Sequence, residues 1–189
     1  MNEPKVSAHQ RKEKKVGEIK KEDAFKLMTD KNPKSGVFLT VKKGNEVNTM
    51  TIGWFSTGII WGMDVMMVMV RYIRHTYDLI KDADSFTISV PKENDNSLNK
   101  AIGICGSKSG RDIDKIHEAG LTLADARRID GKVIADAYLH YECEIIYKQA
   151  MEPALILSDE VMRYYEGAED KHNHYHVMFY GKIVDRYNT

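Results

Sequence analysis

Six residues near the middle of the chain, Ser85 to Val90, alternate without a break: Phe86, Ile88 and Val90 on one side, Ser85, Thr87 and Ser89 on the other. Strict period 2 marks a strand with one buried face, because successive side chains leave a pleated backbone on opposite sides. The pattern constrains the fold because similar segments recur. Val37 to Lys42 is rich in β-formers, Lys43-Gly44-Asn45 is a turn signal, and Val47 to Trp54 returns as the second arm of a hairpin. Val65 to Val70 is a continuous apolar run of strand length. Two longer strands come late: Ala137 to Tyr147, with Tyr141, Cys143, Ile145 and Tyr147 on one side, and Tyr175 to Val184, with Val177, Phe179 and Ile183 on one side. Gly181 inside the last of these predicts a bend or a close backbone approach.

The helical signals are short. They cover Glu22 to Met28 (stopped by Asn32-Pro33), Thr76 to Lys81, Ser97 to Ile102 and Asp112 to Ala119. Many strands with few short helices describe an antiparallel barrel or sandwich with helical insertions. A parallel βαβ fold would need longer helices at regular intervals.

Composition narrows the function. At 189 residues the chain suits one domain, residues 16–189, preceded by a basic arm at 1–15 that carries Lys5, Arg11, Lys12, Lys14 and Lys15. Lys plus Arg and Asp plus Glu both total 28, so the formal net charge is zero, which argues against a protein that coats nucleic acid. The most apolar stretch, Gly58 to Val70, is interrupted by Asp64 and is too short to span a membrane as a helix, which takes about 20 residues. Charges stand where a secretory signal would be apolar, and two cysteines, Cys105 and Cys143, make no disulfide framework. A reducing cytoplasm is the expected setting. Cys143, on a strand face, reads as core.

Several chemistries leave no trace: there is no GxxxxGK[ST], GxGxxG, HExxH or GxSxG. His172, His174 and His176 form an HxHxH run, but no cysteine or carboxylate stands at ligand spacing beside them, so the run reads as a polar approach to a strand and no metal is expected.

Two segments suit an anion. In VRYIRHTY, Arg71 ends the Met-rich strand, and Arg74 and Thr76 follow at the start of a helical turn. Guanidinium forks fit phosphate oxygens, and a helix start adds free N–H groups; taken alone, the same residues describe surface arginines paired with carboxylates. In ICGSKSGRDIDK, Gly106, Ser107, Ser109 and Gly110 let the backbone approach a ligand, Lys108 and Arg111 add charge, and a helix follows. A third segment, NTMTIGW (Asn48 to Trp54), offers a strand edge with small Thr49, Thr51 and Gly53, against which a flavin- or pterin-like ring could pair. Composition alone favours an ordinary apolar strand there.

The ordered series NTMTIGW, a Trp61 loop, VRYIRHTYDLI, FTISV, CGSKSGRDIDK and HVMFYGKIVD resembles the flavin reductase-like FMN-binding family that includes flavoredoxin, over roughly residues 36–186. The resemblance implies an antiparallel Greek-key split barrel, a homodimer, and one FMN per subunit near the dimer interface. It implies an oxidoreductase that takes electrons from NADH or NADPH and passes them through flavin to free flavin or a redox partner protein; the alternative is an FMN-carrying electron-transfer protein with little NAD(P)H turnover. Neither nucleic acid nor a membrane is implied as partner. By the same resemblance, Met50, Thr51, Ile52 and Gly53, with Trp54, match the strand lining the flavin ring. Arg71, Arg74 and Thr76 match phosphate and ribityl contacts. Cys105, Gly106, Ser107, Ser109, Gly110, Arg111 and Asp112 match the second cofactor loop, which Lys115 ends. His176 matches a histidine facing the flavin or the nicotinamide. The chemistry would be the flavin's, with no side-chain nucleophile. Met63-Asp64, where the family commonly has proline after the Trp loop, and the Met66-Met67-Val68-Met69 strand depart from the pattern.

Overall fold

A computed structural model describes residues 17–24, 26, 36–92, 96–166 and 174–189. The expected basic arm, the end of the first helix with its Asn32-Pro33 stop, and His172 lie outside the described residues; 21–24 are helical.

Among the described residues there are ten strands: β1 (Gly17–Glu18), β2 (Val37–Lys43), β3 (Glu46–Ile52), β4 (Phe55–Ile60), β5 (Met63–Arg71), β6 (Ser85–Val90), β7 (Leu123–Asp125), β8 (Lys132–Ile134), β9 (Leu139–Ala150) and β10 (His176–Asn188). Between them lie α1 (His75–Ile80), α2 (Asn96–Ser107), α3 (Lys115–Glu118) and α4 (Asp159–Met162). The main sheet runs β3-β2-β6-β9-β10-β5-β4 with β1 added to β10, and β7 and β8 pair separately. All the ladders are antiparallel.

This sheet is a split barrel: β3 and β4 are its end strands and do not pair with each other. β3 and β5 are separated by four strands, which in a flat sheet with spacing of about 4.8 Å would put them roughly 24 Å apart. Instead Met50 of β3 and Met69 of β5 line one hollow, so the sheet curls strongly. Its inner face holds the main core, including Leu39, Val41, Met66, Val68, Ile88, Cys143 and Phe179. β2 is buried on both faces, because Phe38 points outward into a second cluster under α2, with Leu98, Ile102, Cys105 and Ile134.

Gly181 is where the sequence predicts close approach. A Cβ there would sit 2.7 Å from the Cβ of Cys143 and 2.7 Å from the ring of Phe86. The β9–β10 register shifts beside it, between Tyr180 and Gly181. The same irregularity corrects the expectation for β9: Tyr141, Cys143 and Ile145 face the core, but Tyr147 is exposed and packs against Trp61 and Tyr180.

Three further expectations change. The "Trp61 loop" is a hairpin between β4, which the sequence reading passes over, and β5; Trp61 (φ 52) and Gly62 (φ 72) form a tight two-residue turn of the kind that needs positive φ twice. The helix expected at Ser97 to Ile102 continues to Ser107, so Cys105, Gly106 and Ser107 form a helix end and not a loop. The helix expected over Asp112 to Ala119 is only Lys115–Glu118.

Candidate functional site

β3 ends at Ile52, and Gly53-Trp54 carry the chain away from the sheet toward β4. On the neighbouring side β5 ends at Arg71, a tight turn follows (Arg74 N–H donates to the Arg71 carbonyl, 3.0 Å), and α1 begins. The C-terminal end of α2 and the first residue of β10, His176, close the ring. These elements enclose a hollow of about 200 Å³ lined by Met50, Thr51, Ile52, Gly53 and Trp54 on one wall and by Met69, Arg71, Arg74, Gly106 and His176 around the rest.

The Arg74 guanidinium donates to the carbonyls of Gly106 (2.8 Å) and Cys105 (3.5 Å), which are acceptors left over at the end of α2. Burial, and then Arg71, lowers its pKa. Arg71 donates to the Tyr164 carbonyl (3.3 Å), meets His174 Nδ1 (3.3 Å) and lies over the Tyr165 ring (5.6 Å). Among the described residues neither arginine has a carboxylate partner; the ion pairs lie elsewhere. Behind Arg74, Lys115 is buried with, among the described residues, only the Cys105 carbonyl at 3.5 Å, and burial pushes its pKa down to about 8. The hollow is therefore cationic, and among the described residues its cations lack anions.

The apolar end is formed by aromatic rings. Trp54 packs edge-on against Tyr164 (5.0 Å, 85°) and tilted against His176 (4.9 Å). His176 is buried, bonded through Nδ1 to the Tyr165 hydroxyl (2.9 Å), and held neutral: burial, then Arg71, lowers its pKa to about 4. Thr51 anchors the wall by donating to the Ile102 carbonyl (2.6 Å).

Other residues expected in one site are placed elsewhere. Thr76 is turned inward, accepting from the Asn48 side chain (2.7 Å), and does not line the hollow. The Cys105 thiol is buried in the second core cluster, its pKa raised by burial against the pull of Lys115; only its carbonyl reaches Arg74. Ser107 donates back to Gly103 (2.8 Å). Ser109 accepts from Arg111 N–H (3.1 Å). Gly110, Arg111, Asp112 and Lys115 line a neighbouring hollow with Asn48 and His75. Arg111 is spent on Asp78 (2.6 Å) and the Ile73 carbonyl (3.0 Å). The helix start expected to hold an anion is capped by its own Asp114, which accepts from Ile116 and His117 N–H (3.0 and 3.1 Å). So the second segment contributes its helix end at Gly106 to the hollow, and its loop faces away. Sequence reading missed Tyr164 and Tyr165, and named Met69 and His174 only as part of a Met-rich strand and of a polar approach to a strand; the Tyr164-Tyr165 pair inside a charged stretch was the available signal.

An open antiparallel split barrel with a cationic, aromatic-walled hollow beside an end strand defines the class. Residues 30–188 match the flavin reductase like domain, and the chain belongs to that family. Among curated proteins it is similar to an uncharacterised protein of Pyrococcus abyssi (32% identity over 54% of this chain and 56% of the other) and to one of Archaeoglobus fulgidus (25% over 58% and 59%). The matches thus span little more than half the length of these relatives. Among solved structures, the flavoredoxin of Methanosarcina acetivorans superposes with a TM-score of 0.61 at 19% identity, over 81% of this chain and 67% of that one. An FMN-binding domain of a flavin reductase-like enzyme from Shewanella baltica gives 0.64 at 17%, over 92% and 76%. These likenesses establish the fold.

Proposed function

We propose that the hollow binds FMN and that the protein is a flavin-dependent oxidoreductase using NADH or NADPH. The observation that carries this reading is the pair Arg71 and Arg74, two cations in one hollow whose described partners are carbonyls, a histidine nitrogen and a ring. Planar guanidinium forks without carboxylates suit a phosphate dianion. β3 supports the ring end: among the described residues it pairs with β2 on one side only, so its other edge offers backbone N–H and C=O groups along Met50 to Ile52 to a planar heterocycle with alternating donors and acceptors. Trp54 and His176 wall that end. Similar structures are described as FMN-binding, which agrees with this choice.

When bound, FMN would supply the hydride and electron chemistry, so no side-chain nucleophile is needed. The chain's share is positional. Arg71 and Arg74 neutralise the phosphate, the β3 edge sets the ring plane, Thr51 fixes that edge to α2, and the Trp54–Tyr164–His176 stack keeps water from one end. At about 200 Å³ the hollow is smaller than common ligand pockets of about 300–1,000 Å³, so a tricycle would keep part of its surface open to a second reactant. We further propose a homodimer: Ile59, Trp61 and Tyr147 are exposed on one part of the sheet, with Trp61 and Tyr147 in ring contact. The setting proposed is the cytoplasm; both thiols are free, and among the described residues no helix is long and apolar enough to cross a membrane, which says nothing of strands.

The test is the visible spectrum of the purified protein with an FMN titration, followed by NADH and NADPH oxidation with and without added free flavin. Stoichiometric FMN binding with turnover supports the reading. Tight FMN without turnover identifies an electron carrier instead, and absence of FMN binding overturns the proposal.

A further inference from the structure

Tyr165 comes from the segment between α4 and β10, is 3% exposed, and takes no part in the mechanism above. Its hydroxyl lies 2.9 Å from His176 Nδ1. A phenol O–H is a good donor and an unprotonated imidazole nitrogen a good acceptor, and a bond of that polarity leaves the imidazole proton on the other nitrogen. We propose that Tyr165 is a positioning residue that fixes His176 as a neutral imidazole with its N–H at Nε2, a single hydrogen-bond donor presented to the hollow that His176 lines.

The surroundings hold both partners in place. Tyr165 is stacked on Tyr175 (5.0 Å, 27°) and covered by the Arg71 guanidinium (5.6 Å). His176 is gripped between Trp54 (4.9 Å) and the Tyr165 edge (5.7 Å, 81°), which opposes a ring flip. Among the described residues, the titratable and charged groups around the pair are Arg71 from β5, His174 and Tyr175 on the approach to β10, and Tyr164 beside Trp54. None is a carboxylate, and Arg71 opposes a second cation. With Nδ1 occupied, Nε2 is the atom left for a ligand.

A neutral donor there suits an acceptor on a planar heterocycle, a ring carbonyl or an unprotonated ring nitrogen, without adding to the positive charge reserved for phosphate. The inference rests on the FMN reading only for the identity of that acceptor; the tautomer belongs to the chain alone.

The experiment is 15N NMR of imidazole-labelled protein from pH 5 to 8, first without flavin. The expected His176 signal is the Nε2–H tautomer with no protonation above pH 5. Tyr165→Phe keeps the ring stack but frees Nδ1, and should give mixed tautomers with a protonation midpoint at least one pH unit higher. FMN titration then reads the function: Tyr165→Phe should weaken FMN several-fold with a pH dependence the wild type lacks. A wild-type Nδ1–H tautomer, or an unchanged tautomer and midpoint in Tyr165→Phe, overturns the proposal. A shift of His176 on adding NADH but not FMN assigns the acceptor to the nicotinamide. If the wild type fails to bind FMN while the tautomer result holds, the FMN reading fails and the positioning role stands.

Discussion

Replacing Lys115 by methionine should stabilise the protein at neutral pH, although it removes a charged residue that ends a glycine-rich motif. Lys115 is 4% exposed, has one acceptor at 3.5 Å among the described residues, and shares its surroundings with Arg74. Burial lowers its pKa from 10.5 to about 8. At about 1.4 kcal/mol per pH unit, holding the charge inside costs about 3 kcal/mol below pH 8. Between pH 8 and 10.5 the unfolded chain keeps this proton and the folded chain gives it up, so stability rises with pH across that window. Methionine has a similar shape and no charge. It removes the cost but forfeits the bond to the Cys105 carbonyl, worth about 1 kcal/mol, leaving a net gain of about 2 kcal/mol at pH 7. The assay is urea unfolding of both proteins at pH 7, 8, 9 and 9.5. Buried thiols also titrate toward alkaline pH. Cys143, raised by burial, is common to both proteins. Cys105, also raised by burial, is raised further in the variant that lacks the pull of Lys115, which narrows the difference at alkaline pH in the same direction. The difference between the two is therefore diagnostic: it should be largest at pH 7 and shrink steadily above pH 8. A variant less stable than wild type at pH 7, or a difference independent of pH, would refute the reasoning.

Arg74→Ala should weaken FMN binding tenfold or more, since a hydrogen bond to a charged group contributes about 1.5–3 kcal/mol; fluorescence titration reads it, and unchanged affinity in both Arg74→Ala and Arg71→Ala removes the phosphate assignment. Gly181→Ala places a methyl 2.7 Å from Cys143 and Phe86 and should cost about 1–3 kcal/mol in chemical denaturation. His140 and His176, both held neutral with pKa about 4, pick up protons near pH 6.5 only when unfolded, so stability should fall as pH drops from 6.5 toward 4, by about 2 kcal/mol per histidine at pH 5. Trp61→Ser should shift the gel-filtration volume toward the monomer while leaving the FMN hollow unchanged.

Much of the strand framework was legible because side-chain period reports which face a residue takes. Ser85–Val90 emerged with its predicted bounds, Cys143 is core, and Gly181 sits where two strands allow no side chain. β4 was illegible: FSTGII is an end strand with a largely exposed face, and burial is what writes a period into sequence. The end of α2 was misread because Gly106 and Ser107 suggest a loop, whereas packing of Leu98, Ile102 and Cys105 on Phe38 extends the helix through them.

Local composition alone determined that the chain makes an antiparallel sheet and that Arg71 and Arg74 stand at a strand end, because pleat and turn chemistry act between near neighbours. Which cations remain without anions was decided only in three dimensions. Arg111 meets Asp78 across 33 positions and Asp114 caps its own helix, while Arg71 and Arg74 face Met50–Trp54 because the sheet curls and brings β3 to β5. Charge pairing and enclosure depend on distance in space, and period and propensity carry no record of it.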